Sequence, residues 1–460
     1  MDQSKIWKGN WTFVLAAAGA AVGLGNIWKF PYLAGESGGG AFVIVYLLCI
    51  LLLGLPIMIA EIYIGRHGRK SPINSVRKII NDYGLNKFWL ILGWLGALAG
   101  LLILSYYSVI AGIAASYIFS SIPSSELNPA EYSVEYYSNF KNSPLLMIFW
   151  HSLFIGVTCY VVGKGVVDGI GKAINILMPI LFFLVIVLCI YSSLTGEFLK
   201  TLSFLFNPDF SKITPGVVIT AMGQAFFTLS IGMGSIMAYG AYMPEEQMIG
   251  KTVLIVIFLD TLVALLAGFT IFPIVFSNPE LSAFVGKGLL FESLPVAFHS
   301  MPLGSIFHSV FFVLVSIAAL SSSVSLIEPF TAWIEEENIF SRLKGVIILG
   351  LIAWFIGLGT VFSDNIWAEY KFYGMNFFEV IAVLTDQFML PLGGLLICIL
   401  VGFCVPKLDF IKEIDLSNNL SKVFNVCLKF VAPVSVLLIF GYALSLSLIH
   451  ISEPTRPDEI

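Results

Sequence analysis

Apolar residues run in long blocks, each closed by a short polar stretch, along almost the whole 460-residue chain. Eleven blocks reach the roughly 20 residues that a helix needs to cross a bilayer. They cover 11–34, 40–64, 88–120, 144–163, 168–194, 214–242, 250–277, 303–334, 343–362, 375–404 and 424–447. The pattern predicts an all-α polytopic membrane protein with eleven transmembrane helices and a single transmembrane domain over 1–460. The first block continues past the length of a signal h-region and has no cleavage site before it, so it reads as a span. The tail "HISEPTRPDEI" (450–460) is polar, contains proline and is assigned no role.

Two blocks are interrupted. "AAVGLGNIWKFP" (20–31) crowds Gly23, Gly25, Asn26, Lys29 and Pro31 into the first span, and "FFTLSIGMGSIMAYG" (226–240) places Gly232 and Gly234 in the sixth. Glycine and proline persist inside a span only where something else satisfies the backbone they free. If spans one to five (11–194) and six to ten (214–404) are two repeats, these are corresponding helices. An odd number of spans per repeat makes the halves opposite in topology, with 424–447 an extra eleventh helix. Paired, glycine-broken helices mark the binding site of a secondary transporter. Amide N–H groups at a half-helix start hold an anion, and loosened carbonyls, hydroxyls and an Asn amide hold a hard cation. One Gly-x-Gly alone more often marks only close packing or a kink. Two at matching places favour a site.

Composition agrees with the spans: 58% of residues are hydrophobic, 12% are charged and the mean hydropathy is +0.92. The net charge of −5 comes with no basic block, which gives no sign of nucleic-acid binding. Cys49, Cys159, Cys189, Cys398, Cys404 and Cys427 sit in or beside apolar blocks and suggest neither a disulfide framework nor a zinc site. No cofactor motif, phosphate loop or nucleophile–base pair is present, so an enzyme is not expected. The loop after the second span holds Arg66, Arg69, Lys70, Arg77, Lys78 and Lys87 against Asp82, whereas the next loop holds Glu126, Glu131 and Glu135 before Lys141. Basic loops stay inside. This predicts a plasma (inner) membrane protein with a cytoplasmic N-terminus and an external C-terminus. Trp7, Trp11, Trp89 and Trp94 near span ends fit interfacial anchoring, with packing the alternative for any one of them.

"GAAVGLGNIWKFPYLAGESGGGAF", "GLPIMIAEIYIGRHG", "GQAFFTLSIGMGSI" and "ALSSSVSLIEP" resemble the neurotransmitter:sodium symporter family, from about Trp7 to the eleventh span. Length and span number look like the short prokaryotic amino-acid transporters of that family. The resemblance implies a first sodium site at Ala21, Asn26, Thr228 and Asp260, completed by the substrate carboxylate. It implies a second at the carbonyls of Gly19, Val22 and Ala318 and the hydroxyls of Ser321 and Ser322. Every contact is an oxygen, as a hard ion requires, although serines in a span also bond their own helix. The family usually has Asn at the place of Asp260. An acid there supplies the charge that chloride brings in chloride-dependent members, so chloride independence is expected. A buried acid in a span is functional by default, and a protonatable Asp260 leaves proton exchange open.

Monoamine carriers of the family have Asp where Gly23 stands, so here the substrate must bring its own carboxylate, as an α-amino acid does. By resemblance, that carboxylate meets Leu24, Gly25 and the Tyr107 hydroxyl. The amine meets carbonyls near Ala21, Phe227 and Thr228 and the Ser230 hydroxyl. Ala20, Ile103, Tyr107, Phe227, Ser230, Met233, Ser322 and Leu326 line the side-chain space, with no charged group among them. A neutral substrate, large hydrophobic or aromatic, is expected. Ile103, Met233 and Leu326 would each serve equally well as packing.

The same resemblance makes Lys29 and Glu379 the outer gate, with Tyr107 and Phe227 as the lid over the substrate. At the inner gate, Glu336 takes the place of the family's acid and Lys5 or Lys8 that of its arginine, with Tyr242 as the gate tyrosine. Gly169 and Pro179 match a Gly-x9-Pro motif that lets the inner end of helix five unwind, or else mark a kink. The expectation is a sodium-coupled amino-acid importer working by alternating access. Its partners are substrate, sodium and the bilayer, and a monomer suffices. Each coupling charge contributes about 2.3 kcal/mol per 100 mV. The alternatives are the same fold coupled to protons or uncoupled, and an amino-acid sensor that no longer transports.

Overall fold

The structure, a computed structural model, describes residues 6–7, 9–278, 288–414 and 418–441. Lys5, Lys8 and the tail from 448 lie outside the described residues. Among the described residues the regular elements are all helical, with one isolated bridge between Phe372 and Met375. Among the described residues nine helices are long and apolar enough to cross a membrane. They run from Gly40–Gly68 to Ser421–Gly441 and correspond to spans two to five and seven to eleven. The first span is a pair, Trp11–Ala21 and Gly25–Glu36, bent by 52°. The sixth divides into Pro215–Thr228 and Ser235–Tyr242, of 14 and 8 residues, each too short to cross alone. It is therefore interrupted more deeply than the first.

Small residues bring the broken helices into the centre. A Cβ on Gly240 would lie 2.6 Å from the Ile62 carbonyl oxygen, and one on Gly65 would collide with the Met237 carbonyl. Ser235–Tyr242 thus lies backbone to backbone against Leu55–Gly68, the close approach that small residues permit between membrane helices. Leu90–Tyr117 and Gly304–Glu336 pack the same way: a Cβ on Gly100 would meet the Leu326 oxygen at 2.6 Å. Large side chains such as Phe183, Leu194, Phe355 and Leu438 point outward, where a soluble protein would bury them.

Of the four tryptophans expected at interfaces, Trp11 is exposed but Trp7 is buried. Trp7 donates its indole N–H to Val166 O (3.2 Å), its backbone N–H to Tyr242 O (3.2 Å), and packs edge-on against Tyr239 and Tyr242. It is a latch between the first, fifth and sixth helices, so of the two readings packing holds for Trp7 and anchoring does not. Trp94 packs on Trp333 at 4.8 Å between ring centres. The six cysteines are all free, with Cys49, Cys398 and Cys427 buried.

Candidate functional site

The first break starts at Val22, whose ψ of 108° leaves the helix, and the chain resumes as a wide turn over Gly25–Lys29. Its freed groups find partners in the interior. Gly23 N–H donates to Asn26 Oδ1 (3.0 Å), Leu24 N–H to the Tyr107 hydroxyl (3.3 Å), and Gln224 Nε2 donates to Gly25 O (2.8 Å). The second break covers 229–234, with Ser230 (φ 52°), Gly232 (φ 81°) and Gly234 (φ 73°) in the left-handed region. Glycine adopts that conformation freely, but a serine does so at a cost of roughly 1–3 kcal/mol unless its surroundings hold it. Ser230 is held by donating its hydroxyl to Ala20 O at 2.7 Å, and Glu61 accepts Gly232 N–H at 3.1 Å. The two breaks therefore meet: Ser230 bonds the end of the first half-helix, and a Cβ on Gly25 would touch the Phe227 ring at 3.0 Å.

A cavity of about 20 Å³ lies at this meeting point. Its walls bring together Ala20, Ala21, Leu24, Gly25, Ile103, Tyr107, Phe227, Ser230, Met233, Ser322 and Leu326, with Gly23 in addition. Thr228 is absent from the wall. Its hydroxyl turns away to both oxygens of Asp260 (3.2 Å each). The space holds about one water, so an amino acid fits only once the walls move apart. Above it, Leu24, Tyr107 and Phe227 also form the floor of a vestibule of about 430 Å³. One layer of side chains separates the two spaces on that face.

Asp260 is buried and accepts Asn26 Nδ2–H at 2.8 Å. Asn26 thus donates its NH₂ to Asp260 and accepts Gly23 N–H at its oxygen, which keeps a second lone pair. The residues assigned to the second ion also converge. Ser322 Oγ lies 3.4 Å from Gly19 O and 3.2 Å from Val22 O, while Ser321 Oγ donates to Ala318 O of its own helix at 2.9 Å. Met178, next to Pro179, abuts Gly19: a Cβ there would be 3.0 Å from its sulfur. Gly169 falls in a wide turn, Val166–Gly171, ahead of the helix Lys172–Thr195 that contains Pro179.

The outer gate pair needs correction. Lys29 does not pair with Glu379; its ammonium lies 3.3 Å from Asp386 Oδ2 and 4.0 Å from the centre of the Phe227 ring. Glu379 is occupied in a capping box with Asn376 at the start of its helix (3.1 and 2.9 Å). At the opposite face, Glu336 accepts from Ser71 N–H (2.7 Å), Ser71 Oγ (2.6 Å) and Asn74 Nδ2 (2.9 Å), while the Lys5 or Lys8 expected opposite it lies outside the described residues. Tyr242 donates to Glu328 Oε1 (2.6 Å), and Arg342 grips Glu328 Oε2 (2.5 Å) and Glu335 (3.1 Å). The arginine of this cluster comes from the ninth helix. Beyond the helix end, Glu337 accepts from exposed Arg77 at 2.8 Å; that bond, with one from Asn74, holds its carboxyl below the usual range.

Glu61, Asp386, Glu328 and Arg342 were missed as site residues. Glu61 and Glu328 are acids inside apolar blocks ("MIAEIYIG", "SLIEPF"), which is itself a functional signal. Asp386 sits two helical turns beyond Glu379, and no local pattern separates the two.

A helical membrane protein whose broken first and sixth helices cross over a shared, uncharged cavity is a carrier of the broken-helix type. This chain belongs to the sodium:neurotransmitter symporter family, whose model matches residues 4–141 and 139–453. It is 33% identical to the uncharacterized sodium-dependent transporter YhdH of Bacillus subtilis over 94% of this chain and 96% of that protein. It is also 33% identical to an uncharacterized sodium-dependent transporter of Haemophilus influenzae, over 95% and 98% respectively. Among solved structures it is similar to the crystal structure of MhsT in complex with L-phenylalanine, with a TM-score of 0.86, 39% identity and coverage of 95% of this chain and 99% of that one.

Proposed function

We propose that this chain imports a neutral, large hydrophobic or aromatic L-amino acid together with sodium, without chloride, by alternating access. The carrying observation is the meeting of the two breaks, with Ser230 bonded to Ala20 O across it at 2.7 Å. Between them lie backbone groups and hydroxyls, and no charged side chain lines the cavity. A charged substrate side chain would be desolvated there without a partner. Gly23 has no room for an acid, since a Cβ would lie 2.5 Å from Ser322 Oγ and 3.0 Å from the Tyr107 hydroxyl. The carboxylate then comes with the substrate, to the amides of Leu24 and Gly25 and the hydroxyl of Tyr107. The structural relative with L-phenylalanine supports this class.

Sodium is cargo and driving force. In this reading Asn26, Thr228 and Asp260, with Ala21 O and the substrate carboxylate, hold the first ion. The carbonyls of Gly19, Val22 and Ala318 with Ser321 and Ser322 hold the second. The Asp260 charge makes chloride unnecessary. We read 11–194 and 214–404 as inverted repeats and count the two short helices of 215–242 as one span, for eleven in all. The basic loop 66–87 faces the cytoplasm and the vestibule faces outside. The conformation is then closed over the site, with a thin barrier outward and a thick one inward at Trp7, Tyr242, Glu328 and Arg342.

The test is uptake into proteoliposomes across an amino-acid panel, with sodium and chloride replaced separately. L-phenylalanine or a large aliphatic amino acid should accumulate only under a sodium gradient, and replacing chloride by gluconate should leave the rate unchanged. Uptake that ignores sodium but follows a proton gradient would contradict the coupling.

A further inference from the structure

A second polar cavity, of about 250 Å³, lies away from the candidate site, where the helix Leu294–His299 meets the start of Gly304–Glu336. Ser121, Ser124, Ser305, His299 and His308 line it, and no Asp, Glu, Lys or Arg is among the described residues of its wall. His308 is buried, packed against Phe312 at 4.8 Å between ring centres, yet neither of its ring nitrogens has a hydrogen-bond partner. A buried imidazole with both nitrogens unmet is costly and calls for an occupant. The first residues of a 33-residue helix form part of the same wall, and that end of a helix favours negative charge.

We infer that this cavity binds a small oxyanion, a phosphate or a carboxylate, through His308, His299 and the three serine hydroxyls. Hydroxyls and imidazole N–H groups donate to such an ion, and with no carboxylate in the described wall nothing repels it. A metal cation fits poorly, since no group of three or more His, Cys, Asp or Glu capable of holding one exists among the described residues. The occupant would act on the vestibule from behind. The segment just before Leu294–His299 presents Phe291 and Glu292 to the vestibule, and Leu294–His299 is pressed onto the long helix so tightly that a Cβ on Gly304 would collide with Phe298 O. An anion clamping His299 to His308 fixes that wall.

The full chain, labelled with ¹⁵N-histidine in lipid nanodiscs, is titrated with inorganic phosphate and separately with acetate, with chloride balancing ionic strength. The imidazole resonances of His299 and His308 are assigned through His299→Gln and His308→Gln. At least one of the two anions should shift both resonances saturably, and which one does identifies the occupant's chemistry. Ser124→Ala with Ser305→Ala should weaken the binding by about tenfold or more, as expected for losing hydrogen bonds to a charged group. His308→Phe, which keeps the ring packing, should abolish the shift at His299 while leaving the thermal unfolding midpoint close to that of the parent. Failure of both anions to saturate, or a shift at His299 unchanged in His308→Phe, overturns the inference.

Discussion

Lys29 and Asp386 form an ion pair at 3.3 Å across the floor of the vestibule, and the same ammonium caps the Phe227 ring. Tyr106 donates to the other Asp386 oxygen at 3.0 Å, so the acid is fixed from two sides. Asp386→Asn removes the charge that holds Lys29 over the lid. The initial rate of uptake should fall several-fold, while Glu379→Ala should leave the rate nearly unchanged. That second change loses a helix cap instead, at about 1 kcal/mol of stability. Paired uptake and thermal-unfolding measurements separate the two residues.

At the opposite face Arg342 and Glu328 are nearly inaccessible to solvent. Arg342→Met strands a buried carboxylate, and such losses cost about 3–5 kcal/mol. The double variant Arg342→Met with Glu328→Met should recover most of that stability in thermal unfolding, since an apolar pair replaces an ionic one. The exposed Arg77–Glu337 pair offers the contrast: Arg77→Ala should leave the unfolding midpoint almost unmoved.

Gly23→Ala pushes Ser322 Oγ aside, since a Cβ would lie 2.5 Å from it. The hydroxyl can rotate, but it then leaves Gly19 O and Val22 O. One substitution should therefore raise the half-saturating concentrations of both substrate and sodium, measured by equilibrium binding of labelled L-phenylalanine.

Asp260→Asn deletes the buried charge expected to replace chloride. Uptake should need more sodium for half-saturation and should gain a dependence on chloride. A variant as chloride-independent and sodium-sensitive as the parent would assign that charge elsewhere.

The sequence made the spans legible because a bilayer imposes one length and one polarity on every crossing helix. The breaks at Gly23 and Gly232–Gly234 were legible too, because two Gly-x-Gly interruptions fall at matching places in the first and sixth apolar blocks. Side-chain pairing was less so. Glu379 and Asp386 are both acids on one helix, and only packing shows that Asn376 claims the first and Lys29 the second. Arg342 reaches back 14 positions to Glu328, a distance at which local patterns carry no information. For Trp7 the sequence left anchoring and packing both open, because burial is set by neighbours from the fifth and sixth helices, not by position near a span end.

The central claim is that two unwound segments together cradle an amino acid and sodium. The most direct measurement is a cryo-EM map of the protein in sodium and L-phenylalanine. The expected result is ligand density between 20–25 and 227–233, its carboxylate at the Leu24 and Gly25 amides and the Tyr107 hydroxyl. Ligand bound elsewhere, or those segments wound into continuous helix around it, would contradict it.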